Sequence, residues 1–179
     1  MFREFEKSFS HFFEECERGF TNEIIIQMYC QIYTPGKFVI SYKSNVKEMY
    51  FIKQGMVEVY NNEKDDKDIQ SGNMKSIKDQ KPILYLPKYS YFGDYQILLN
   101  LKSNLVYKTL DKKFVEKKPG NKEPLKESTL FMCVKKQELL DLCELFPSTA
   151  ENIKRRAHER RVKFMQQKMM NSKSYEDSK

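Results

Sequence analysis

The period of apolar positions changes twice along the chain and divides it into three parts. Near the start, Phe5, Phe9, Phe12, Phe13 and Cys16 recur at helical spacing among acids, which predicts one amphipathic helix ending near Gly19. Thr21 or Asn22 is placed to cap a second, short helix through Ile24, Ile25 and Met28. From about residue 32 the period shortens. Pro35-Gly36 marks a turn and 37–40 reads as a strand. Residues 48–53 and 56–60 alternate on either side of Gln54-Gly55, a short hairpin signal that sets Met49, Phe51, Val57 and Val59 toward one core. Pro82 and Pro87 fence a strand at 83–86, and further strands are predicted at 104–110 and 129–134.

From residue 135 the period lengthens again. Leu139, Leu142, Cys143 and Phe146 share one helical face, and Pro147 breaks that helix. Ser148-Thr149-Ala150-Glu151 forms a capping box for a last helix. That helix aligns Ala150, Ile153, Ala157 and Phe164 on one stripe. Arg160, three residues after Ala157 and four before Phe164, falls on the same inward stripe.

The elements give an α+β fold: an antiparallel β-roll between N-terminal helices and two C-terminal helices. The parts are N-terminal helices at 1–31, the roll at 32–134 and two helices at 135–170, with a disordered tail at 171–179. Within the roll, 61–81 and 111–128 are polar, lack periodicity and are expected to be mobile loops.

Length allows one well-buried core and not two full domains. No apolar run approaches the roughly 20 residues that span a bilayer, and the charged start is unlike a signal peptide. A cytoplasmic chain is expected. Four cysteines without metal-ligand spacing and only two histidines argue against zinc and for reduced, mostly buried thiols. No nucleophile–base arrangement points to an enzyme. The net charge of +7 gathers at 108–126 and 154–168 and favours an anionic partner: a nucleotide, an acidic protein, nucleic acid or an anionic membrane face.

The candidate chemistry lies at 90–99, Ser-Tyr-Phe-Gly-Asp-Tyr-Gln-Ile-Leu-Leu. Gly93 follows Phe92 and permits a close backbone approach. Asp94 stands where a short helix would begin, beside amides that suit a phosphate, with a carboxylate that accepts from a sugar hydroxyl. A plain turn accounts for the same residues.

The order of three motifs adds to that reading. Pro35-Gly36-Lys37-Phe38-Val39-Ile40, then Glu48 through Val59 with Gly55, then Tyr91-Phe92-Gly93-Asp94 resembles the cyclic nucleotide-binding domain. The branch it resembles lies at the C-terminal ends of cyclic nucleotide-gated, hyperpolarization-activated and ether-à-go-go-type ion channels. The similarity runs from about residue 12 to 164. It implies an eight-stranded β-roll, a phosphate-binding turn at 90–105, and a final helix that closes over the purine as a lid.

The resemblance implies that Gly93 meets the cyclic phosphate and Asp94 the ribose 2′-hydroxyl of cAMP or cGMP. Asp94 is one methylene shorter than the family's usual glutamate. The family's phosphate-binding arginine and the small residue after it fall on Ser103 and Asn104. No arginine lies between Arg18 and Arg155, so the charged contact to phosphate is lost. Ether-à-go-go-type domains also lack it and bind cyclic nucleotides poorly. Arg160, Lys163 and Phe164 match lid positions. The expected function is a channel-type regulatory module that senses a cyclic nucleotide or works through fixed contacts, with channel subunits or another protein as partner. The alternative is a non-binding scaffold that docks partners. A transcription regulator of the same sensor fold would need a helix-turn-helix after the lid, so nucleic acid is not an expected partner.

Overall fold

The computed structural model describes residues 2–61, 81–110 and 128–176. The loops expected at 61–81 and 111–128 fall almost wholly outside them. Three helices open the chain: α1 (Phe2–Ser8), α2 (Ser10–Phe13) and α3 (Arg18–Gln27). The predicted first helix thus ends at Phe13, not near Gly19. Glu15, at φ 61°, turns the chain. Gly19 lies inside α3, where a Cβ would stand 2.8 Å from the Phe146 ring. It serves close packing, not termination. Thr21 and Asn22 sit within α3 and do not cap it; the Glu17 amide at its start donates to Thr149 Oγ1 at 3.0 Å.

The apolar stripe of α1 and α2 is buried as the spacing predicts. Phe5, Phe9, Phe12 and Phe13 close on Phe51 with ring centroids 5.1–6.2 Å apart. Such aromatic groupings carry both burial and ring geometry terms.

The strands are β1 (Tyr29–Tyr33), β2 (Phe38–Ile40), β3 (Glu48–Gln54), β4 (Val57–Tyr60), β5 (Leu84–Leu86), β6 (Tyr91–Phe92), β7 (Val106–Thr109) and β8 (Thr129–Lys135). They form two antiparallel sheets, β1-β8-β3-β6 and β2-β7-β4-β5. β3 and β4 are therefore not a hairpin, as their spacing suggested. Gly55, at φ 89°, carries the chain from one sheet to the other, and a Cβ there would stand 2.7 Å from Thr129 Oγ1. Met49, Phe51, Val57 and Val59 are buried, but so are Tyr50 and Ile52. β3 is covered on both faces: Phe51 lies under the N-terminal helices while Tyr50 stacks on Phe92.

After β6 comes the short helix α4 (Asp94–Leu98), and after β8 come α5 (Lys136–Leu145) and α6 (Pro147–Glu176). Glu138 Oε2 accepts the Lys135 amide at 3.2 Å and caps α5. Pro147 ends α5 and also opens α6, where its missing N–H is harmless. Ser148 is consequently not a cap residue, and Thr149 bonds Glu17 instead. α6 runs past residue 170, where the sequence reading ended it; 171–176 contains neither glycine nor proline. Ala150, Ile153, Ala157 and Phe164 are its buried stripe, and they bring α6 across α4.

Candidate functional site

The site gathers at the turn between β6 and α4. Gly93 holds φ 91°, and a Cβ there would lie 2.7 Å from the Glu48 carbonyl oxygen. Only glycine fits this approach without strain. The tight turn buries all five residues of α4, Asp94 included.

Asp94 meets the inward stripe of α6 at Arg160. The guanidinium donates to Asp94 Oδ2 at 3.3 Å and to the Tyr91 carbonyl at 2.6 Å. It also lies 3.8 Å from the Tyr91 ring centroid, a cation–π contact. The Asp94 side chain is 3% exposed and that of Arg160 21%. Burial pushes the Asp94 carboxyl above its ordinary range, opposed by Arg160 and by the amides of Asp94 and Tyr95. Asp94 Oδ1 closes no hydrogen bond among the described residues. Burial pulls Arg160 down, but Asp94, Tyr91 and Tyr107 together outweigh it and the net direction is up, so the guanidinium stays charged.

Further contacts fasten the same two elements. The Tyr95 hydroxyl donates to Asn104 Oδ1 at 3.0 Å, and the Tyr95 ring meets Phe164 at 6.0 Å. Asn104 Nδ2 reaches Met165 Sδ at 3.2 Å. Inside the roll, Phe92 stacks on Tyr107 at 4.8 Å, and the Tyr107 hydroxyl accepts from Gln96 Nε2 at 3.3 Å. Burial raises the Tyr95 and Tyr107 phenols, which stay neutral.

Ser103 is buried and turned inward. Its hydroxyl donates to the Leu105 carbonyl at 2.7 Å and its amide to Ser44 O at 2.9 Å. Both donors are occupied within the chain. Lys163 is exposed on another side of α6. Phe92, Gly93, Asp94, Asn104, Arg160 and Phe164 thus come together; Ser103 is near but turned away, and Lys163 is apart.

Sequence reasoning gave no role to Tyr91, Tyr95 and Gln96 within the 90–99 stretch and missed Tyr107 and Met165. The density of hydroxyl-bearing aromatics around Gly93 was the available signal. It also missed how the N-terminal helices join the site. The His11 ring stacks on Tyr91 at 5.1 Å, and Arg156 donates to the carbonyls of His11 at 3.3 Å and Phe12 at 2.8 Å.

No protein-family model matches the chain. Curated relatives do. Cyclic nucleotide-gated channel alpha-2 of Rattus norvegicus is 26% identical over 149 residues, 82% of this chain and 18% of the channel. The rod photoreceptor subunit alpha of the cyclic nucleotide-gated channel of Gallus gallus is 27% identical over 135 residues, 75% of this chain and 17% of that subunit. The chain therefore spans less than a fifth of the length of these relatives. Among solved structures, the C-linker/CNBHD of zELK channels, crystallised in the presence of cAMP, matches with TM-score 0.58 and 17% identity. That match covers 83% of this chain and 60% of the other. The Thermus thermophilus catabolite activator protein matches with TM-score 0.61 and 12% identity, over 90% and 62%. At such identities the structures speak to fold. Sequence relatives and structural neighbours agree on the cyclic nucleotide-binding domain, the family the motifs resemble. Among the described residues no helix is long and apolar enough to cross a membrane.

Proposed function

We propose that the chain is a channel-type regulatory module, without enzymatic activity, in which the final helix is latched onto the phosphate-type turn by Arg160. The observation that carries this is the seat of the Arg160 guanidinium on Asp94 and the Tyr91 carbonyl. In the resembled family the acid at position 94 accepts a ribose hydroxyl. Here its Oδ2 already holds the lid. Ser103 supplies no charge for a phosphate and its donors are spent. A desolvated phosphate without a cationic partner is costly. cAMP and cGMP therefore bind weakly, and the module works mainly through fixed contacts with channel subunits at the cytoplasmic face of a membrane.

α6 suits this role because it touches both ends of the device. Its middle grips Asp94 and Tyr91, while its earlier turns grip the N-terminal segment through Arg156, Asn152 and the Arg155–Glu15 ion pair. Whatever frees one end loosens the other. Isothermal titration of the chain with cAMP and with cGMP tests the reading. The expected dissociation constants are on the order of 1 mM or weaker. Micromolar binding of either nucleotide would refute it.

A further inference from the structure

Away from that site, four strands stand at sheet edges: β1 and β6 in one sheet, β2 and β5 in the other. An open edge offers unpaired amides and carbonyls to any matching strand, and native edges carry guards against this. Three of the four do. β6 is two residues long, and its Tyr91 carbonyl accepts from Arg160. β5 spans three residues between Pro82 and Pro87. β2 is as short, and its pairing with β7 shifts register between Phe38 and Ile40.

β1 has no such guard. Its five residues, Tyr-Cys-Gln-Ile-Tyr, include no charge, proline or glycine, and they pair with β8 without a break in register. On the inner face Tyr29 and Gln31 hydrogen-bond the Glu48 carboxylate, and the Tyr33 ring meets Phe131 at 5.4 Å. These contacts fix the strand before anything binds it. On the outer face Cys30 is exposed and Ile32 is 69% exposed.

The direction of the backbone groups on β1 follows from β3. The Ile52 amide donates to the Ser90 carbonyl at 2.9 Å, and the Ile52 carbonyl accepts from the Tyr89 amide at 2.8 Å, so Ile52 faces β6. These directions alternate along an antiparallel strand. Phe51 therefore faces β8 at Met132, while Phe131 and Cys133 face β1 at Gln31 and Tyr29. Cys30 and Ile32 are left with their amides and carbonyls toward the open edge. Among the described residues no strand lies on that side.

We propose that β1 pairs antiparallel with β1 of a second copy of this chain, about a two-fold axis at Gln31. Cys30 then lies opposite the partner's Ile32, and each such pair exchanges two hydrogen bonds. All the outward groups of Cys30 and Ile32 are satisfied on both copies, and two four-stranded sheets become one of eight. The neighbouring two-fold registers do not close in this way. An axis at Cys30 sets Ile32 against the partner's Met28, whose amide is already given to the Ile25 carbonyl. An axis at Ile32 sets Cys30 against the partner's Thr34, whose carbonyl already accepts from Thr109 Oγ1 at 2.8 Å. A second copy is the fitting occupant because the edge is complementary to itself, as a two-fold contact requires, and carries no charge to select a different strand.

The test is sedimentation equilibrium of the full chain from about 10 to 500 µM, in about 0.3 M salt to screen the repulsion between copies of net charge +7. The expected result is a rise from monomer to dimer mass across the series. Ile32→Lys places a charge on the edge at an exposed position, so it should stay monomeric throughout with an unchanged melting temperature. Ile32→Cys, oxidised with diamide, should give a covalent dimer whose peptide map joins Cys30 to the introduced thiol. A monomer at every concentration would overturn the proposal. So would a dimer that survives Ile32→Lys, or a cross-link that joins other cysteines instead.

Discussion

Replacing Arg160 with alanine is the sharpest probe of the latch. The substitution removes two hydrogen bonds and a stacking contact, and it leaves the Asp94 carboxylate 3% exposed without a cation. Removing one partner of a buried pair costs about 3–5 kcal/mol. Arg160 is itself 21% exposed and recovers some hydration, which places the expected loss near the lower end, about 3 kcal/mol. Asp94→Asn is milder, because the guanidinium keeps the Tyr91 carbonyl and ring and reaches water; about 1–2 kcal/mol is expected. The double variant should cost less than the two added together, with a coupling of about 1–3 kcal/mol.

Urea unfolding followed by circular dichroism measures each term, and protease cleavage near the C-terminus reads the freed helix. A pH series adds an independent check. Burial already raises the Asp94 carboxyl, and without Arg160 it rises further. A folded-state pKa raised above the unfolded value favours folding at low pH and loses that contribution as pH rises through it. The deficit of Arg160→Ala should therefore be largest near neutrality and shrink on acidification. A deficit under about 0.5 kcal/mol, the scale of ordinary surface changes, or one that does not vary with pH, would refute the latch.

Three other outcomes follow from the structure. His11 is held below its ordinary pKa by burial, Arg160 and Arg156, so the unfolded chain takes that proton first. Stability from this group is full above about pH 6.5 and lost as pH falls below it; His11→Phe should flatten that part of a thermal melting series. Gly93→Ala forces a side chain into φ 91° against a backbone oxygen that cannot step aside, and should cost about 1–3 kcal/mol in chemical denaturation. Gly19→Ala meets only the movable Phe146 ring, so its smaller loss should be rescued by Phe146→Leu.

Much of the architecture could be read from the chain because its strands and helices each present an obvious face. The helical stripes of Phe5–Phe13 and Ala150–Phe164 are buried where periodicity puts them. The errors share a cause: a local signal had a tertiary use. Gly55 looks like a hairpin glycine but crosses between sheets, a difference that depends on Thr129, some seventy residues away. Ser148-Thr149-Ala150-Glu151 has a capping-box pattern, yet Thr149 is claimed by Glu17. Gly19 looks terminal but makes room for Phe146. In each case the partner lies far along the sequence, where no local window can register it.

The site divides in the same way. Asp94 and Arg160 were both legible, one from the turn and the other from an arginine on an apolar stripe, and a buried arginine requires a partner. What periodicity could not supply was the partner's company. Tyr91 contributes its carbonyl and ring to Arg160 while its ring also stacks on His11. One aromatic residue thereby links the N-terminal helices, the turn and α6. Because Arg156 ties the same N-terminal helix to the same α6, the three parts form a closed circuit of contacts, not a chain with a free end. Opening a closed circuit breaks several bonds together, so α6 is expected to release as a unit and not by fraying from its tip.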